Sequence, residues 1–491
     1  AFNNLGLALQ GQGKLEEAVG HYRQALALKP DYAEAFNNLG LALQGQGKLE
    51  EALAQLRQAL ALKPTYAEAH CNLGIALYAH GNPSEAVAHY KKALALKPDF
   101  AEAHNNLGNV FTDQGHLKEA VAHYQKALTL KPGFAEAHYN LGNMLRNEGN
   151  FEEAVAQYRK ALRLKPDYAG AHWNLSLVLL LTGNFDEGWQ EYEWRWAADE
   201  GKRWKRDFPQ PLWDGTDISG CTILLHAEQG LGDTLQFVRY APLVAKRGAR
   251  VVLECQPELK ALLKSVKGVK VLVVKGEPLP AFDVHAPLLS LPRIFGATLD
   301  TIPAPVSCLA ANPKHAAAWR DRMVGGGDTF KVGVAWAGKP EHKNDRNRSC
   351  PLSVFAPLAQ VRGVTFYSLQ KGEAARQVAD PPEGVTLVDM TAEVTDFAET
   401  AALISNLDLV ISVDTAVVHL AGAMGKPIWT LLPFVSDWRW LLNREDSPWY
   451  PTMRLFRQER LGDWLGVFAR VAEALQSVVS IRHPTKENKR P

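Results

Sequence analysis

A chain of 491 residues is too long for one ordinary hydrophobic core and argues for about three domains. Its apolar fraction of 46% and charged fraction of 22% are those of a globular protein, and a formal net charge of +1 gives no global attraction to nucleic acid or an anionic membrane. Five cysteines, Cys71, Cys221, Cys255, Cys308 and Cys350, stand without C-x-x-C spacing, which argues against a disulfide framework or a zinc site and for a reducing, cytoplasmic setting. No uninterrupted apolar run reaches the length of about 18 residues that a membrane span needs, so none is expected. The chain opens on Ala1, inside a repeat and with neither Met nor a signal peptide, and so reads as a piece of a longer chain.

Ala1, Ala35, Ala69, Ala103, Ala137 and Ala171 open successive units that read A-x-x-N-L-(G/S) at a spacing of 34 residues. Within them Gly13, Ala18, Ala25 and Pro30 return as Gly47, Ala52, Ala59 and Pro64. Small residues at helix crossings and a proline after the second helix predict paired amphipathic helices. A single pair cannot bury its apolar faces, so the pairs stack into a superhelix with a concave inner surface. The pattern resembles the tetratricopeptide repeat. The sixth unit keeps Asn174, Leu175, Gly183 and Phe185 but ends in Trp189, Tyr192, Trp194 and Trp196, aromatics expected to seal the last repeat against the next domain. Units one and two differ at five positions, Tyr22 against Leu56 among them, which marks recent duplication.

One amide recurs in every unit: Asn4, Asn38, Asn72, Asn106, Asn140 and Asn174. An amide both donates and accepts, so a row of them can hold an extended polypeptide by its backbone without reading side chains. The row resembles the asparagine ladder in the repeats of the eukaryotic O-linked N-acetylglucosamine transferase. The alternative is that Asn is simply common at this position in such repeats. Arrays of this kind also self-associate through their end faces, which admits a homo-oligomer.

Beyond Trp213 the pattern turns to alternating strands and helices. Strands are predicted at Thr222–His226, Val251–Glu254, Val269–Val274 and Phe282–His285, with Gly230–Gly232 a turn and a helix from Asp233 to Lys246. A second series runs through Lys331–Trp336, Val364–Leu369, Val385–Val388, Leu409–Val413 and Pro427–Leu431, closed by a helix from Asp463 to Val479. Two βα series predict two Rossmann-like α/β domains after the α-solenoid. The predicted bounds are an array over 1–196, a Trp/Pro-rich junction over 197–220, domains over 221–312 and 313–480, and a disordered tail over 481–491.

Two stretches carry the chemistry. In Glu228-Gln-Gly-Leu-Gly-Asp-Thr234, two glycines allow close approach of backbone to a ligand, and Asp233 stands at a helix N-terminus. The spacing is not G-x-G-x-x-G, which disfavours a dinucleotide. In Leu409–Pro427, Asp414 and Thr415 follow a buried strand and precede a helix, where free N–H groups and the helix dipole suit phosphate. Asp414 either faces such a ligand or caps the helix. His419, one turn on, needs a partner on its apolar helix, whether as a site residue or as a satisfied core histidine.

Together these two motifs resemble the family 9 glycosyltransferases, the heptosyltransferase-like enzymes of GT-B fold, over about residues 221–475. The resemblance implies that Asp233 is the general base toward the acceptor hydroxyl, with the neighbouring Gly232 on the donor. It implies that Asp414, Thr415 and His419 surround the donor sugar and its diphosphate. It calls for a basic residue in the loop Trp336–Arg348, where Lys339, Lys343, Arg346 and Arg348 are available and Arg348 is favoured. It also implies inverting transfer from a nucleotide-sugar co-substrate, with no metal and no further cofactor. Gln370 is either near the nucleotide base or part of a surface turn.

The reading is a bacterial glycosyltransferase whose repeats deliver a polypeptide to a two-domain site, the acceptor being a Ser or Thr hydroxyl. Flagellin is a candidate, since some flagellin glycosyltransferases join repeats to such a domain. Two alternatives stand beside it. One is a saccharide or lipid acceptor with the repeats as a recruitment module, the other a scaffold with a vestigial transferase domain.

Overall fold

The computed structural model of the chain describes residues 1–323, 329–342 and 344–482. It divides into two compact units, Ala1–Ala171 and a second that begins at His172.

The first unit is a run of helix pairs: Phe2–Gly11 with Leu15–Leu28, Ala33–Gly45 with Leu49–Leu62, Ala67–Ala79 with Pro83–Leu96, Ala101–Asp113 with Leu117–Leu130, and Ala135–Asn147 with Phe151–Leu164. The alanines Ala18, Ala52, Ala86, Ala120 and Ala154 are all 0% exposed, which is why no larger residue takes that place. In most pairs a glycine of the first helix lies under a tyrosine ring of the second. A Cβ on Gly108 would stand 2.5 Å from Cε1 of Tyr124, and in the duplicated second unit Leu56 takes the ring's place over Gly40. Gly108→Ala is therefore expected to cost about 1–3 kcal/mol by overpacking, read as a lower urea midpoint at unchanged slope. An unchanged midpoint would show that the Tyr124 ring can swing aside.

The asparagine row stitches the repeats together. Asn38 Nδ2 donates to Asn3 Oδ1 (3.1 Å), Asn72 to Asn37 Oδ1 (2.8 Å), Asn106 to Cys71 Sγ (3.7 Å), and Asn140 to Asn105 and Asn109 (both 3.0 Å). The N–H groups of these four amides thus reach back into the array. The side-chain carbonyls of Asn72, Asn106 and Asn140 meet no protein donor among the described residues. Asn4 is exposed, and Asn174 is half-buried in the second unit.

The second unit takes in the sixth repeat from His172 on, within helix Ala169–Leu181, followed by helix Phe185–Tyr192 and the 3₁₀ turn Glu193–Trp196. A sequence boundary at residue 196 keeps this segment with the array, whereas the structure groups it with the α/β region. The reason is packing: Trp189 donates Nε1–H to the carbonyl of Ala297 (2.9 Å), and its ring meets Trp438 edge-on at 5.2 Å between centroids. Trp194 instead lies flat on His172, at 4.0 Å and 5°.

Two parallel sheets complete the unit. The first holds β1 (Thr222–His226), β2 (Arg250–Cys255), β3 (Val269–Val274) and β4 (Val284–Pro287) in the order β3-β2-β1-β4. The second holds β5 (Phe330–Ala335), β6 (Val364–Ser368), β7 (Leu387–Asp389), β8 (Leu409–Val413), β9 (Ile428–Leu432) and β10 (Met453–Arg457) in the order β10-β9-β8-β5-β6-β7. Strand order reverses between β1 and β4 in one sheet and between β5 and β8 in the other. Such switch points open crevices beyond the carboxyl ends of the strands. Helix Trp464–Arg482 closes the second sheet. By length and composition its stretch Trp464–Ile481, of mean hydropathy 1.3, could cross a membrane. Trp464, Val467, Phe468, Val471, Ala472, Leu475 and Val479 instead form a helical stripe buried in the core of this sheet. The tail predicted from 481 lies, beyond Arg482, outside the described residues.

Polar groups end one face of the first sheet. His226 pairs in register with Glu254, and its Nε2 lies 3.2 Å from His285 Nδ1. Burial, with the neighbouring His285 and positive charge from Arg206, Arg195 and Lys275, pushes His226 from 6.5 down to about 3. The unfolded chain takes up this proton below its ordinary value and the folded one does not, so the stability it contributes is full above that value and falls as the pH drops. At pH 5 the loss is about 2 kcal/mol. Urea unfolding at pH 7 and pH 5 should show a drop smaller by that amount in His226→Asn, and an equal drop in both would refute the assignment.

Candidate active site

The exits of β1 and β8 meet. After β1 the chain turns through Glu228, Gln229 and Gly230 into helix Leu231–Phe237, which starts two residues before the helix expected from Asp233. Asp233 therefore lies in the first turn, and its Oδ2 accepts the Gly230 N–H at 2.8 Å. Its Oδ1 accepts from the guanidinium of Arg439, which also donates to Asp437 Oδ1 and Gln236 Oε1, both at 2.8 Å. Asp233 keeps 18% of its side chain exposed.

After β8 come Asp414, Thr415 and helix Ala416–Ala423. Asp414 does not cap that helix. Its Oδ2 accepts the indole N–H of Trp440 at 2.9 Å, and its backbone carbonyl accepts from Arg348 Nη1 at 3.2 Å. Burial pushes its carboxyl up to about 6, with the charge of Asp437 adding to the effect. Thr415 is the N-cap residue, but its hydroxyl turns to Ser412 Oγ (3.3 Å), so no side chain caps the helix.

Gly232 is where the two exits touch. A Cβ there would stand 2.7 Å from His419 Cδ2 and 3.6 Å from Ala416 Cα, so the glycine permits the two helices to pack closely. His419 is a satisfied interior histidine. It is 6% exposed, its Nδ1 is 3.0 Å from the Tyr450 hydroxyl, and its ring stacks on Trp440 at 5.4 Å. Burial, reinforced by Arg439, Arg239 and Arg348, holds its pKa well below the usual value, so it stays neutral.

Arg348 reaches the same place from the β5 exit. It donates to Asp345 (3.3 Å) as well as to Asp414, and Gly338 leaves the space its guanidinium fills. Lys339 is exposed on the same loop. Lys343 lies outside the described residues. Gln370 is not part of a surface turn. It is 3% exposed, its Oε1 accepts the N–H groups of Trp336 and Ala337 (both 2.9 Å), and its Nε2 donates to the carbonyls of Ala337 (3.0 Å) and Lys371 (2.8 Å). It clamps the β5 exit.

The segment that ties these pieces together, Asp437-Trp-Arg-Trp440 with Trp449 and Tyr450, is not singled out by sequence. Arg439 binds Asp233, its neighbour Trp440 binds Asp414, and Tyr450 binds His419. A signal is present in the tripeptide Trp438-Arg-Trp440, which repeats Trp194-Arg-Trp196.

Tetratricopeptide-repeat family models match residues 6–47, 45–81, 71–135, 123–156 and 142–183. The model for glycosyltransferase family 9 (heptosyltransferase) matches residues 361–436, which takes in Asp414, Thr415 and His419 and leaves out Asp233, Arg348 and Arg439. Protein FlbA of Caulobacter vibrioides is 28% identical over 313 residues, an alignment covering 59% of this chain. The chain spans about half the length of that curated relative, 52%. Among solved structures, MamA is 29% identical over 33% of this chain and 96% of its own, with a TM-score of 0.29. A thermophilic tetratricopeptide-repeat protein of Thermus thermophilus is 27% identical over 37% of this chain and 98% of its own, with a TM-score of 0.34. The chain thus joins tetratricopeptide repeats to a heptosyltransferase-like glycosyltransferase domain.

Proposed function

We propose that this chain transfers a sugar from a nucleotide-sugar to a Ser or Thr hydroxyl of a polypeptide held by its repeats, with flagellin as the candidate acceptor and a bacterial cytoplasm as the setting. The observation that carries the reading is the meeting of two switch-point turns at Gly232 and His419, with Asp233 on one and Asp414 and Thr415 on the other. The acceptor oxygen attacks the anomeric carbon, and the bond from that carbon to the diphosphate oxygen breaks with its electron pair leaving on phosphate. The acceptor proton passes to Asp233, whose oxygens each keep a lone pair beyond those used by Gly230 and Arg439. Arg348 and the uncapped N–H groups of helix Ala416–Ala423 meet the charge on the leaving diphosphate, so the step calls for no metal ion. A single displacement of this kind inverts the anomeric centre.

A thermal-unfolding screen with UDP, GDP, ADP and CMP tests the donor site. A nucleotide at 100 times its dissociation constant adds about 2.7 kcal/mol, and Asp414→Ala is expected to abolish that gain. If no nucleotide stabilises the chain, the scaffold reading replaces the enzyme. The inward-turned asparagine amides favour a second reading, in which the acceptor is a saccharide or lipid and the repeats only recruit. Removal of residues 1–170 separates the two, since polypeptide transfer should collapse and saccharide transfer should survive.

A further inference from the structure

The turn bearing Asp233 is gripped at both ends by a buried arginine. Arg439 holds Asp233 at one end. At the other, Glu228 accepts from Arg195 at 3.1 Å (Nη2 to Oε1), 3.2 Å (Nη2 to Oε2) and 3.3 Å (Nε to Oε2), and both side chains are 0% exposed. Arg195 uses its remaining donors on the Tyr192 carbonyl (3.2 Å), Glu193 Oε1 (2.9 Å) and Ser290 Oγ (2.8 Å). Between the two ends, Gln229 donates to the Tyr192 hydroxyl at 3.2 Å. Arg195 and Tyr192 belong to the end of the sixth repeat, so a repeat supplies one wall of the turn.

Sealing a terminal repeat needs only apolar surface, which the Trp189 side of the helix already provides. A buried ion pair is a poor seal, because desolvating both charges offsets most of their attraction. What a fork-shaped guanidinium adds is direction and distance. We infer that Arg195 is a positioning residue for sugar transfer, which sets the Glu228–Asp233 turn through Glu228 and makes the last repeat part of the catalytic apparatus. This rests on the reading of Asp233 as the base.

The test uses the full chain carrying Arg195→Met together with Glu228→Leu, a pair that removes both charges and keeps the volume. Two readouts are followed: hydrogen exchange of the amides of residues 229–234 against those of Leu409–Val413, and release of nucleoside diphosphate from UDP-, GDP- and ADP-hexoses. The expected result is exchange in the turn at least tenfold faster with β8 unchanged, and kcat at least tenfold lower at an unchanged donor KM. Unchanged exchange in the turn, or faster exchange with full kcat, overturns the inference. Should the double variant not fold, Arg195→Lys keeps the charge, loses the fork, and must show the same split. Full turnover by Asp233→Asn would remove the base and leave the exchange result to judge Arg195 alone.

Discussion

Asp233→Asn is expected to lower sugar transfer by about 10²–10⁴ while the protein stays folded. The amide oxygen can still accept the Gly230 N–H. Arg439 keeps Asp437 and Gln236 at 2.8 Å, so no buried charge is stranded. What disappears is the lone pair basic enough to take the acceptor proton. The measurement is turnover beside a melting curve and a nucleotide-binding shift. A slow enzyme that still binds nucleotide and melts normally is the expected pattern, and a normal rate would hand the base role to another group.

Arg195→Met alone is expected to cost about 3–5 kcal/mol, because it leaves the Glu228 carboxylate buried and unpaired. Adding Glu228→Leu should recover most of that loss, since a buried ion pair and its apolar replacement are often close in stability. The single variant should also be sensitive to pH. Burial already pushes the Glu228 carboxyl up to about 7 against the pull of Arg195, so without that pull it stands higher still, and protonation removes the stranded charge as the pH falls toward that value. Denaturant midpoints at pH 8 and pH 6 check this. A deficit of equal size at both would mean that Arg195 matters for packing rather than charge.

Much of the fold is legible in the sequence because periodicity reports burial. β1, β3 and β8 run over the residues that their apolar runs predict. β10 escapes because Met453-Arg-Leu-Phe-Arg457 carries two arginines and stands at the end of the sheet, with β9 on one side and a single bridge to Asp446 on the other, so its sequence lacks the continuous apolar run of a central strand. The turn helix begins at Leu231 because Asp233 reaches back to cap it, and a carboxylate two or three residues into a helix reads in sequence like one at its start. Arg439, Trp440 and Tyr450 escape for a different reason. Each matters through a partner far along the chain, such as Asp233 for Arg439, and no local pattern encodes that distance. Gln370 illustrates the converse, since its polar character suggests a ligand whereas four backbone groups use it fully.

The double anchoring of residues 228–233 also bears on entropy. A glycine-rich turn left loose would lose roughly 1–2 kcal/mol of backbone freedom per residue when a substrate ordered it. With Glu228 fixed by Arg195 and Asp233 by Arg439, that loss falls at the folding step. Substrate then meets a carboxylate whose direction is already set, and its binding energy remains available for the strained geometry of the displacement.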